Sequence, residues 1–220
     1  MTSLPSYAMI VTHLGSSSLM LPVMTITAMG LRRSHQEAAL RIWLLAITVA
    51  VTMTLATKIA FLGWGIGILS VNFTGISGHT LLATSVLPLL FCSVLANDQR
   101  RFMIGAAVLG LLVGGVVGAS RVLLGAHSIS EVFVAWLTGL AVSSLALNAL
   151  QIPIRPPWFS RLSPLVLLLA LNTTTSTYLP THEWEVRLAL LLSGHERPYT
   201  RPHLISNSAQ VDVLTQLHPQ

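Results

Sequence analysis

Long apolar runs, separated by short connections that hold most of the arginines, constrain this chain more than any other feature. Only 9% of its residues are charged and 53% are hydrophobic, whereas a water-soluble domain carries about a quarter charged residues. Much of its surface must therefore face something other than water. Runs of roughly 18 or more apolar residues are long enough to cross a hydrocarbon core as helices. The pattern predicts six such spans, at about 7–31, 38–57, 78–96, 102–119, 132–150 and 162–179. The first is the most polar, with His13 inside it, and the last fades into Asn172-Thr173-Thr174-Thr175. The expected fold is all-α, a six-helix transmembrane bundle. Pro88 falls within the third span, where a membrane helix tolerates it. Gly110, Gly114, Gly115 and Gly118 give the fourth span a surface that another helix can approach closely.

Charge placement predicts the orientation. Arg32, Arg33 and Arg41 mark the first connection, Arg100 and Arg101 the third, and Arg155 and Arg161 the fifth. These connections share one side, and the positive-inside rule assigns them to the cytoplasm. The opposite face then receives the N-terminus, residues 58–77, residues 120–131 and the C-terminal tail. After Pro180 a short amphipathic helix is expected to lie on that external interface, with Thr181 as its N-cap and Gly194 as its stop. Trp184, Leu188, Leu191 and Leu192 form its apolar stripe, and Glu183 and Arg187 an i,i+4 pair on another face. Residues 1–202 are read as one membrane-embedded domain and 203–220 as a polar, disordered tail.

Several classes fall away. The net charge of +5 comes without a dense basic cluster interleaved with aromatics, which argues against a nucleic-acid partner. The single cysteine, Cys92, can form no internal disulfide and reads as a small buried hydrophobe. No basic residue precedes the first apolar run, so no cleavable signal peptide is expected. His13, His35, His182 and His195 show no paired ligand spacing, and no metal site is expected.

Two short segments carry the chemistry, Gly75-Ile76-Ser77-Gly78-His79 and Ser120-Arg121 followed by His127 and Glu131. Both fall in connections on the external face. A transferring phosphoryl group needs positioning, neutralisation of its oxygens, a nucleophile and a proton for the leaving oxygen. Arg121 can offer a bidentate fork. Ser77 and the N–H groups of Gly78 and His79 stand where the third span begins, a natural anion site. Lys58, at the outer end of the second span, adds a point charge. His127 can attack phosphorus, with Glu131 four residues on to hold its other nitrogen, and His79 can protonate the leaving oxygen. Each residue also has a plainer role. Ser128-Ile129-Ser130-Glu131 is a capping box, Lys58 can snorkel from a span end, and His127 and His79 can be ordinary polar residues at an interface and a helix start. Arg121 is the lone arginine of its loop, on the side where few are expected, which favours function.

The pattern resembles the type 2 phosphatidic acid phosphatase superfamily, whose motifs are Lys-x6-Arg-Pro, Pro-Ser-Gly-His and Ser-Arg-x5-His-x3-Asp. The third stands here as Ser120-Arg121, His127 and Glu131, the second as Ile76-Ser77-Gly78-His79, and the first is reduced to Lys58, with Gly65 and Ile66 in place of Arg-Pro. The resemblance spans roughly residues 55 to 140. It implies a phosphatase that needs no metal or cofactor, with His127 as nucleophile, His79 as general acid and Glu131 as supporting carboxylate. It implies phosphate binding by Lys58, Ser77, Gly78, His79 and Arg121, with Ser120 in support. Arg197 or Arg201, beyond the C-terminal helix, is the expected replacement for the missing arginine. The implied substrate is a lipid-linked phosphate monoester or diphosphate, at a bacterial inner membrane with the site facing the periplasm. A non-catalytic lipid-phosphate binder, a lipid-to-lipid phosphotransferase and a small transporter component are the competing readings.

Overall fold

The computed structural model describes residues 3–95, 100–151 and 181–201. Its elements are α1 (Ser3–His13), α2 (Ser17–Arg33), α3 (Glu37–Trp64), a 3-10 turn (Leu69–Val71), α4 (Gly78–Leu95), α5 (Arg100–Leu123), α6 (Ile129–Asn148) and α7 (Thr181–Ser193). No β-strand occurs among the described residues, and the fold is a helical bundle. Among the described residues, five stretches are long and apolar enough to cross a membrane: Tyr7–Arg33, Glu37–Trp64, Gly78–Leu95, Arg100–Leu123 and Ile129–Asn148. The span expected at 162–179 and the tail at 203–220 lie outside the described residues.

Three boundaries differ from expectation. The first span is two helices. The N–H groups of Gly15 and Ser16 turn back onto the carbonyls of Thr12 and His13, and a new helix starts at Ser17. The second span runs to Trp64, so Lys58 lies inside α3 rather than at its end. The fourth runs to Leu123, so Ser120 and Arg121 are the last turns of a helix rather than part of a connection. Ser and Arg are compatible with helix, and nothing before Gly125 breaks it.

The chain forms two compact units, residues 1–52 with 77–179, and residues 53–76 with 180–220. In the first, α4 is central and packs against α2, α5 and α6. Thr80, Leu81, Ala83 and every residue from Thr84 through Leu90 are buried. Such burial on all faces requires neighbours without bulk. Gly110 abuts the Leu87–Pro88 backbone, Gly114 and Gly139 both abut Thr84, and Gly118 faces Thr80 and Val132. The expected small-residue surface of α5 thus meets a helix backbone, although Gly115 faces only Trp136. Trp43, fully buried, donates to the Ser85 carbonyl at 2.9 Å and ties α3 to α4.

In the second unit α7 and the strand of chain after it pack on the last turns of α3. Gly63 meets Ala189 and Ser193, the Tyr199 N–H donates to Leu62 O at 2.9 Å, and His195 Nδ1 lies 2.7 Å from Gly63 O. Gly194, at φ +72°, ends α7 as expected. Trp184, Leu188, Leu191 and Leu192 are exposed, as an interfacial stripe would be. Glu183 and Arg187 form no ion pair with each other; the acid of α7 that pairs with a cation is Glu185, with Lys58.

Candidate active site

The site is built at the junction of α5 and α6. Gly125 takes φ +66°, the Gly125 N–H bonds Val122 O at 2.9 Å, and the Ala126 N–H bonds Arg121 O at 3.0 Å. These two bonds are a Schellman closure, which ends the helix and folds the chain back over its last turn. The His127 N–H also reaches Arg121 O, at 3.3 Å. The spacing between Arg121 and His127 is therefore a geometric consequence of this turn. It hangs the histidine from the arginine's own carbonyl.

Ser128 then caps α6. Its backbone is extended, its Oγ accepts the Glu131 N–H, and the Glu131 side chain accepts the Ser128 N–H at 3.1 Å. The same oxygen, Glu131 Oε2, lies 2.7 Å from His127 Nδ1. One carboxylate oxygen thus completes the capping box and also contacts the imidazole, so the helix-cap role of Glu131 leaves its bond to His127 in place. Glu131 is fully buried and the His127 side chain keeps 14% exposure. A carboxylate out of water holds an N–H strongly. Donation from Nδ1 fixes the tautomer in which Nε2 carries the lone pair, the state a nucleophilic imidazole needs.

The start of α4 joins this cluster through the Ser77 N–H, which reaches Glu131 O at 3.4 Å. Ser77 is fully buried, and its Oγ accepts the Thr80 hydroxyl at 3.0 Å. The N–H groups of Gly78 and His79 fall in the first turn of α4, where an anion is favoured. A methyl at Gly78 would meet nothing within 4 Å, so the helix opening fronts free space.

Arg121 stands on the last turn of α5 and donates from Nη1 to Thr12 Oγ1 at 3.1 Å. Ser120 is buried and donates its hydroxyl to Val117 O at 2.6 Å. Its proton is thus committed within its own helix. His127, Glu131, Arg121, Ser120, Ser77, Gly78 and His79 all belong to the first unit. Among the described residues, no three His, Cys, Asp or Glu side chains cluster at metal-holding spacing.

Lys58, Arg197 and Arg201 belong to the second unit. Lys58 Nζ is held by both oxygens of Glu185, at 2.8 and 3.0 Å, and His182 lies 3.7 Å from the same carboxylate. Sequence reasoning missed Glu185 and Thr12. Glu185 was visible only as one acid among several on α7. Thr12 lay in the most polar span, where a hydroxyl followed by Gly15-Ser16 was the available signal.

Two comparisons bear on the family of this chain. The profile of the PAP2 superfamily matches residues 69–154, which enclose the second and third motifs. The chain is also 30% identical over 207 residues to an "Uncharacterized 22.5 kDa protein in cps region" of Klebsiella pneumoniae, covering 89% of this chain and 96% of that protein. No solved structure matches. The chain belongs to the PAP2 superfamily, a family made up in general of phosphatases.

Proposed function

We propose that this protein is an integral membrane phosphatase that hydrolyses a lipid-linked phosphate monoester or diphosphate through a phosphohistidine on His127. The observation that carries the reading is the 2.7 Å contact between His127 Nδ1 and the buried carboxylate of Glu131, beside the Arg121 turn. His127 Nε2 attacks phosphorus as the bond to the leaving oxygen breaks, and His79 gives that oxygen a proton. Water, activated by His79, then attacks the phosphoimidazole, and the P–N bond breaks to release phosphate. The Arg121 fork and the N–H groups of Gly78 and His79 neutralise the equatorial oxygens. Glu131 stabilises the cationic imidazole. No step requires a metal.

The motif match supports phosphate roles for Lys58 and Ser120, and the place of Arg197 and Arg201 beyond the C-terminal helix suggests them as substitutes for the missing arginine. The bonds of Lys58 to Glu185 and of Ser120 to Val117 count against the first two. Charge placement and the bacterial relative support a bacterial inner membrane with the site facing the periplasm.

The test is phosphate release by detergent-purified protein from a panel of lipid phosphates, with a chelator present and His127→Ala alongside. Chelator-insensitive turnover that the variant lacks is the expected result. Turnover that the chelator abolishes, or that His127→Ala retains, refutes the mechanism. Binding of lipid phosphate without turnover points to a non-catalytic binder.

A further inference from the structure

The resemblance assigns no role to the N-terminal helices, yet the elbow between α1 and α2 touches two of the proposed site's elements. A methyl on Gly15 would lie 2.7 Å from the His79 carbonyl oxygen and 2.6 Å from Val117 Cγ1, one helical turn before Arg121. Three residues before Gly15, Thr12 is 8% exposed and its Oγ1 accepts from Arg121 Nη1 at 3.1 Å. Arg121 Nε is also buried and has no hydrogen-bond partner among the described residues.

An arginine at a helix end carries a long stem with large rotamer freedom, and a phosphate that must first order it binds more weakly. Fixing one nitrogen removes most of that freedom. The chemistry of the fixing group matters as well. A carboxylate would hold the guanidinium but cancel its charge, as Glu185 does for Lys58. A hydroxyl holds it and leaves the charge in full. The donors that Thr12 does not hold, the buried and unpartnered Nε among them, are kept in a fixed fork.

We propose that Thr12 is a positioning residue, whose hydroxyl sets the Arg121 guanidinium for a phosphoryl group without neutralising it. The inference rests on Arg121 being a phosphate ligand. It assigns the α1–α2 elbow to the wall of the phosphate site, and gives that break in the first span a function.

The experiment measures the inhibition constant of inorganic phosphate, together with kcat and KM for a lipid phosphate, in purified full-length variants. Thr12→Val is the near-isosteric change, Thr12→Ala a second deletion and Thr12→Ser the conservative rescue. Loss of one hydrogen bond to a charged group should raise the phosphate inhibition constant and KM about 10- to 150-fold in Thr12→Val and Thr12→Ala, with a smaller change in kcat. Thr12→Ser should stay within about twofold of the parent. In an Arg121→Lys background the same Thr12 changes should have little further effect, because the coupled fork is gone. Thr12→Val and Thr12→Ala both leaving the inhibition constant unchanged, while Arg121→Ala raises it, would overturn the role of Thr12 alone. A loss in Thr12→Ser equal to that in Thr12→Val would also overturn it, since packing and not the hydroxyl would then be at work. An unchanged constant in Arg121→Ala would overturn the phosphate-site reading itself, and this inference with it.

Discussion

Replacing Glu131 by Gln separates the two duties of one oxygen. Glu131 Oε2 accepts the Ser128 N–H at 3.1 Å and lies 2.7 Å from His127 Nδ1. A glutamine amide oxygen can still accept both protons, so the cap at the start of α6 survives in part. The negative charge is lost, and with it the stabilisation of the imidazole that the proposed mechanism makes cationic when His127 bonds to phosphorus. A hydrogen bond to a charged group contributes about 1.5–3 kcal/mol net, which corresponds to roughly 10- to 150-fold in rate if it acts in the transition state. Glu131→Gln should therefore lower kcat by that factor and leave KM nearly unchanged, because the fully buried side chain would act on substrate only through His127. Ser128→Ala is the mirror experiment. It removes the cap oxygen that receives the Glu131 N–H, so it should cost about 1 kcal/mol of stability with a much smaller effect on kcat. The assay is steady-state phosphate release in detergent, with thermal unfolding of each variant measured in parallel. A folded Glu131→Gln protein with kcat within about twofold of the parent would refute the reasoning, because the charge would then contribute under 0.5 kcal/mol.

Further tests address the surroundings. Gly78→Ala adds a methyl that meets nothing within 4 Å and favours helix by up to about 1 kcal/mol. Its thermal midpoint should hold or rise while KM increases, and an unchanged KM would show that no phosphate oxygen approaches that backbone. Gly139→Ala places its methyl against Thr84, which is fully buried. Overpacking there should cost about 1–3 kcal/mol, partly restored by Thr84→Ala, and a double-mutant cycle in thermal stability without coupling would contradict the packing. Lys58 and Glu185 keep 22% and 15% side-chain exposure, so their pair should show a coupling of only about 0.5–1 kcal/mol in a Lys58→Met, Glu185→Gln cycle. A coupling near zero would mean that α7 is held by its packing on Gly63 and by the Tyr199 and His195 bonds instead.

What the sequence shows and what it hides follows from the range of each interaction. The His127–Glu131 contact and the Ser128 cap are local, four and three residues apart, and their spacing alone announces them. The helix opening at Ser77–His79 is legible for the same reason. The placing of Ser120 and Arg121 in a loop failed because the apolar pattern stops at Ala119 while the helix runs on to the Gly125 turn. Polar residues are at home in the last turn of a helix that reaches a membrane boundary. Thr12 and Arg121 lie 109 residues apart, and Lys58 and Glu185 lie 127 apart. Nothing in hydropathy or charge periodicity pairs such positions. The elbow at Gly15 was likewise hidden, because a single apolar run reads as one span whether or not its helix breaks.

The central claim is that His127 bonds covalently to phosphorus. Its most direct measurement is the trapping of that bond. Purified protein is mixed with a lipid phosphate, quenched within the first turnover in base, where phosphoramidates survive, and mapped by peptide mass spectrometry. A base-stable, acid-labile phosphoryl group is expected on the peptide that carries His127, more abundant when His79→Ala slows its hydrolysis. A phosphoryl group found on another residue instead, or full turnover by a protein whose residue 127 is alanine, would contradict it.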